Sequence, residues 1–251
     1  MHDALPLAKR LTRDHPHDAQ GWHLLAGVHS MLGSMDDVIA CCRKVTAIDS
    51  GRFDAFYNLG VALQHREKLD EAVESYRRVV ALKPEFAPAH ANLGMALWKL
   101  QKLDEAETAS REAIRLDPNQ IHAANNLALV LLAKNQLDAA VAVLHDVIRQ
   151  APQMPEARHN LALCLRALER PDEARTHLKE AVRLKPDYHE AHAELGRLAF
   201  SEKRFTDAIA SFERAAQLKP DDPEAWMRLG EANWSAEKFT EVLRAVERAV
   251  K

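Results

Sequence analysis

Apolar residues recur along this chain at intervals of three and four, in short runs separated by a few polar residues, which is the signature of amphipathic helices rather than strands. The stretch 87–120, APAHANLGMALWKLQKLDEAETASREAIRLDPNQ, holds two such runs with a tight turn between them. The same pattern returns every 34 residues without insertion, giving units over 19–52, 53–86, 87–120, 121–154, 155–188, 189–222 and a shortened 223–251. Ahead of them, 1–18 reads as a half unit: Ala4, Leu7, Ala8 and Leu11 form one helical stripe, and Pro16 ends it.

The units agree column by column. A leucine stands in every first helix (Leu25, Leu59, Leu93, Leu127, Leu161, Leu195, Leu229), always followed by Gly or Ala. A small residue there predicts close approach of the paired helix. The second helix is expected to oppose it with its own small column, from Val38, Ala72 and Ala106 to Val242. Asp36, Asp70, Asp104, Asp138 and Asp172, then Thr206 and Thr240, are expected to cap the second helices through their side-chain oxygens, with a preceding apolar residue such as Leu69 or Phe205 as staple. Pro84, Pro118, Pro152, Pro186 and Pro220 stop those helices, and Ser50 in the equivalent place predicts a softer boundary.

Composition narrows the class. With 34 basic and 37 acidic residues the formal net charge is −3, so the basic excess of a nucleic-acid binder is missing. No apolar run approaches the ~20 residues that span a bilayer, and the N-terminal residues have no signal-like apolar core, so no membrane insertion and a cytoplasmic location are expected. Cys41, Cys42 and Cys164 are odd in number and form no C-x-x-C pair, which suits buried, reduced thiols. Phosphate loops, nucleophile elbows and zincin motifs are missing, and His189 with His192 makes no ligand set, so no catalysis, cofactor or metal is expected.

The 34-residue helix–turn–helix with Leu-Gly in its first helix, Ala early in its second and a closing Pro resembles the tetratricopeptide repeat, over essentially the whole chain. The early aromatic of that repeat is kept as Trp22, Phe56 and Trp226 but becomes His90, Ala124, Arg158 and His192 in between. The turn glycine is kept only as Gly33. Both departures are expected to soften packing locally. The resemblance implies an all-α, right-handed superhelical solenoid whose inner wall is lined by first helices. On that wall lies a column of Asn58, Asn92, Asn126 and Asn160, with Leu24, Glu194 and Arg228 in the flanking units. A side-chain amide donates and accepts, as a peptide bond requires. Helices pack about 8–10 Å apart and extended chain advances about 3.3 Å per residue, so aligned asparagines match backbone about every third residue. The column is similar to the asparagine ladder of the O-linked N-acetylglucosamine transferases, which holds extended protein segments.

One turn further along the same face, Met95, Leu129 and Leu163, with Trp98 and Leu132 beyond, suit a partner's apolar anchors. Arg166, Arg197 and Arg228 suit carboxylates unless Glu194 and Glu231 neutralise them. His122 and His159 are placed in or near the groove, where titration would tune binding. The expectation is therefore a non-catalytic scaffold that binds an extended or helical protein segment. Two alternatives stay open. One is a substrate-recruiting arm of a larger glycosyl- or sulfotransferase, which also fits the missing cap over Leu229, Trp234, Leu243 and Val246; the other is an oligomer assembled through the open ends.

Overall fold

The computed structural model describes residues 4–250; residues 1–3 and Lys251, which the sequence reading assigns to the half unit and the last unit, lie outside the described residues. Among the described residues there are fifteen α-helices and no strand. They form two compact units, Met1–Lys134 and Asn135–Lys251. The first holds α1 (Ala4–Asp14), α2 (Ala19–Met31), α3 (Met35–Ile48), α4 (Phe53–His65), α5 (Leu69–Leu82), α6 (Ala87–Lys99), α7 (Leu103–Leu116) and α8 (Ile121–Ala133). The second holds α9 (Leu137–Gln150), α10 (Pro155–Ala167), α11 (Pro171–Leu184), α12 (His189–Ser201), α13 (Phe205–Leu218), α14 (Pro223–Ser235) and α15 (Phe239–Ala249). Within each unit every helix packs against the next, so the architecture is a tandem of helical hairpins. The core of the first unit is continuous from Leu25 through Leu59, Leu63 and Tyr76 to Leu93, Leu97 and Val130. In the second unit Ala199, Ala208, Phe212, Leu229 and Ala232 pack together.

The turn inside the hairpins is the most regular feature. After α4, Glu67 adopts φ 57°, and Gln101, Asn135, Glu169, Lys203 and Glu237 repeat that left-handed conformation at φ 58–60°, as Gly33 does at 72°. Lys68 N donates to Leu63 O (2.9 Å) and Glu67 N to Gln64 O (3.1 Å), which is the paired hydrogen bonding of a Schellman cap. Lys102/Gln101, Arg170/Glu169, Arg204/Lys203 and Lys238/Glu237 make the same two bonds. The departure from glycine therefore does not loosen the turn. Each non-glycine residue there carries a left-handed cost of about 1–2 kcal/mol, and the two capping bonds help to offset it.

Three sequence expectations need correction. The aspartates do not cap the second helices: α5 begins at Leu69 with Lys68 at its cap and no side-chain cap bond, and α7 begins likewise after Lys102. Asp70 and Asp104 lie inside the first turn, where they complement the helix dipole instead. The apolar residue before each aspartate is thus the first helical residue, not a staple. Nor is the Ser50 boundary soft. The helix α3 ends at Ile48, and the Asp49 carboxylate accepts a bond from Gly51 N (2.9 Å), closing the turn that proline closes elsewhere.

Third, the small column of the first helix is not opposed by the alanine column alone. A Cβ on Gly60 would lie 2.6 Å from the Tyr76 ring, and one on Gly196 would lie 2.6 Å from the Phe212 ring. At Gly94 it would meet the Ser110 hydroxyl at 2.5 Å. The nearest partners of Gly60, Gly94 and Gly196 are thus one helical turn beyond the alanine column, although the Ala106 carbonyl of that column also lies 3.2 Å from a Cβ on Gly94. Glycine is needed where the partner is large or pressed close. At Gly230 the nearest atom to such a Cβ is the Ala245 methyl, at 3.7 Å. Gly196→Ala is accordingly expected to destabilise the fold by about 1–3 kcal/mol through overpacking. Gly230→Ala is expected to stabilise it by up to about 1 kcal/mol through helix propensity. Thermal unfolding followed by circular dichroism, with Tm shifts of opposite sign, checks the pair.

Candidate functional site

In the first unit the wall made by α2, α4, α6 and α8 is nearly free of formal charge: histidines apart, those helices carry only Asp54 and Lys99. Both are held. Arg52 binds Asp54 (2.7 Å) and keeps its carboxyl below the usual carboxylate range, while Lys99 pairs with Glu67 (3.1 Å). The asparagine column is graded along this wall: Asn58 is exposed, Asn92 half-buried and Asn126 buried. Asn92 Nδ2 donates to the Tyr57 hydroxyl (3.1 Å), so one of its amide hydrogens is already used. Tyr57 is itself set by edge-on contact with Phe86 at 5.2 Å. This tyrosine is a wall residue that the repeat columns did not single out. Met95, Leu129 and Leu132 are half-buried, whereas Trp98 packs against the hydrophobic core and offers only part of its ring. His122 is exposed.

The corresponding wall of the second unit, α10, α12 and α14, is charged: five glutamates stand against four arginines. Asn160 is buried and Leu163 half-buried. The three arginines expected to read carboxylates already face glutamates. Arg166 Nε lies 3.5 Å from Glu194 Oε2, and Arg197 bonds both Glu194 and Glu224, the latter at 2.9 Å. Arg228 pairs with Glu231 (3.0 Å). Glu194, at the Asn position of its unit, is only 6% exposed, and this burial was not legible in the sequence. His159 is 9% exposed beside it; its ring lies 5.3 Å from Tyr188, and its Nδ1 is 3.3 Å from Asn160 Oδ1. Burial pushes its pKa down, against the pull of the Glu194 charge.

Among the described residues no group of three or more His, Cys, Asp and Glu side chains could hold a metal ion. His189 pairs with Glu190 (3.0 Å) and His192 Nε2 with Pro186 O (3.1 Å). Burial pushes the thiols up, Cys41 to about 11, Cys42 to about 12 and Cys164 to about 11, so they are inert at neutral pH. Among the described residues no helix is long and apolar enough to cross a membrane.

A tetratricopeptide repeat family model matches residues 46–85, 57–121, 125–189, 165–223 and 194–251. The chain belongs to the tetratricopeptide repeat family. No curated protein matches it in sequence. Among solved structures, this repeat protein is similar to YrrB, a TPR protein with an unusual peptide-binding site (TM-score 0.61, 23% identity, 74% of this chain and 97% of that one). It is also similar to TTC0263, a thermophilic TPR protein of Thermus thermophilus (TM-score 0.66, 23% identity, 72% and 99%). A third similarity is to the APC/C hetero-tetramer Cut9–Hcn1 (TM-score 0.77, 16% identity, 92% of this chain but 45% of that one). These likenesses show the fold, an all-α tandem repeat.

The depressed His159 pKa has a stability consequence. The unfolded histidine binds a proton near 6.5 and the folded one only below that, so the unfolded state holds more protons in between. Its contribution to stability is complete above 6.5 and is lost as pH falls toward the folded value. Urea midpoints measured at about pH 7.5 and about pH 5.5 are expected to show a drop that His159→Gln makes smaller. An unchanged drop would assign the acid sensitivity to other groups.

Proposed function

We propose that this tetratricopeptide repeat chain is a non-catalytic scaffold that binds an extended segment of a partner protein. On the first unit, the reading rests on a single observation: amides at one position of successive first helices, Asn58, Asn92 and Asn126, on a wall almost without charge. Such a wall suits backbone recognition, because amides pair with peptide groups irrespective of sequence. Beside them Met95, Leu129 and part of Trp98 supply apolar contact for a partner's side chains. On the second unit, Asn160, Leu163 and the arginine–glutamate series, including Arg166, Arg197 and Arg228, are the corresponding contact residues. Tyr57 fixes the Asn92 amide and so orients it before any ligand arrives.

A second reading, self-association, is favoured by the apolar surface of the α14–α15 hairpin, where Trp234, Phe239, Leu243 and Val246 are all exposed. Light scattering across a concentration series tests it, and a strict monomer at high concentration removes it.

The peptide reading predicts that Asn58→Ala, Asn92→Ala and Asn126→Ala together weaken binding of extended peptides from an unstructured peptide library by about tenfold or more, with the helical circular dichroism signal unchanged. Unchanged affinities would make the column structural and place binding elsewhere on the chain.

A further inference from the structure

We propose that Gln64 and Asn92, on the first-helix wall of the first unit, form a pocket for a carboxamide side chain, glutamine or asparagine, of the bound segment. This rests on the peptide-binding reading above and adds what that segment carries. Gln64 lies on α4 and Asn92 on α6, and both line one cavity of about 370 Å³. The half-buried Val61, the buried Tyr76 and the Glu67–Lys99 pair line it with them. Each amide is held at one end by a tyrosine. Asn92 Nδ2 donates to the Tyr57 hydroxyl (3.1 Å), and Gln64 Oε1 accepts from the Tyr76 hydroxyl (3.0 Å). The two tyrosine rings are neighbours, with centroids 6.2 Å apart. The ends left over differ in kind: Asn92 keeps Oδ1, an acceptor, and Gln64 keeps Nε2, a donor. Both residues are half-buried, and among the described residues neither of these ends has a protein partner.

One acceptor and one donor in the same cavity are the complement of a primary amide, which brings a carbonyl for Gln64 and an N–H for Asn92. Burial pushes the Tyr76 pKa up, against a hydrogen bond from the Asn92 amide, so the hydroxyl keeps its proton and holds Gln64 by its oxygen. The charges beside the amides offset one another, because Lys99 Nζ lies 3.1 Å from Glu67 Oε1, and neither sign of guest is drawn in. A carboxylate would bring no proton to Asn92 Oδ1 and would meet the Glu67 charge. An ammonium would leave the Gln64 N–H groups unpaired and meet Lys99. An aliphatic guest would strip water from both amides and return no hydrogen bond. Val61 gives the stem of the incoming residue an apolar side to lie on.

The test uses the full chain and fluorescent decapeptides of alanine and serine with one central residue: glutamine, asparagine, glutamate, lysine or norleucine. Fluorescence polarisation is expected to show the better of the two carboxamide peptides binding about tenfold tighter than the last three. Gln64→Glu, which still accepts from Tyr76 but replaces the donor by a second acceptor, should abolish that preference and make the lysine peptide the tightest. Tyr57→Phe, which keeps the ring but frees the Asn92 amide to turn, should narrow the preference about threefold or more; it serves as the second arm if Gln64→Glu disturbs the helical circular dichroism signal. Equal affinity for all five peptides, a preference for a charged or apolar one, or a carboxamide preference that survives both variants overturns the proposal. An Asn58→Ala, Asn126→Ala double variant, which spares Asn92, separates the two readings. If it weakens all five peptides alike and the wild type shows no carboxamide preference, backbone binding stands and the pocket falls. If it changes nothing while the preference holds, the pocket stands alone. No binding of any peptide at millimolar concentration overturns both.

Discussion

A single residue held in the left-handed conformation between the two helices of a hairpin is the constraint on which the rest depends. Seven residues from Gly33 to Glu237 take it, six of them without the freedom of glycine. With the Schellman bonds it fixes how the second helix leaves the first. Because the turn recurs, the hairpins within each unit keep one register. Within the first unit, identical residues at the repeat interval on α4, α6 and α8 then stand at equivalent places on successive hairpins.

Close packing takes up the variation that the turn does not allow. Where the second helix brings an aromatic ring, Tyr76 or Phe212, the first helix answers with glycine and a near-zero gap. Where the second helix offers the Ser110 hydroxyl, glycine again admits it, and that buried hydroxyl has no hydrogen-bond partner. The pairs trade volume across the hairpin while the backbone stays in place, which is how interiors of native density tolerate sequence drift. The middle repeats, which replace the early aromatic with His90 or Arg158, follow the same logic. His90 Nε2 bonds Pro84 O at 2.8 Å and Arg158 bonds Pro152 O, just as Trp22 and Trp226 bond Pro16 and Pro220.

Helices, hairpins and repeat register were legible because each follows from local rules: apolar spacing, closing prolines, and a small residue after leucine. The buried thiols were read from the odd number of cysteines and the lack of a C-x-x-C pair. The capping reading failed because aspartate favours both the cap and the first turn, and the local backbone geometry decides between them. The state of the arginines was hidden for a different reason. Arg166 reaches Glu194 and Arg197 reaches Glu224 on the next first helix, as Arg43 reaches Glu71 and Arg77 reaches Glu105 between second helices. The separations of these last three pairs are 27 or 28 residues. Columns compared at the repeat interval never set those partners side by side. The graded exposure of Asn58, Asn92 and Asn126 was likewise beyond a periodic argument, which treats every repeat as equivalent.

The uneven distribution of charge between the two units has a consequence for the medium in which the protein works. Contacts made by amides and thioethers on α4, α6 and α8 are short-ranged and largely indifferent to dissolved ions. Contacts made on α10, α12 and α14 compete with counter-ions over a screening distance of about 8 Å at physiological ionic strength. On the proposed peptide-binding reading, ionic strength is therefore a variable to which one half of the chain is deaf and the other responsive: a rise in salt would loosen what the second unit holds and leave the grip of the first in place.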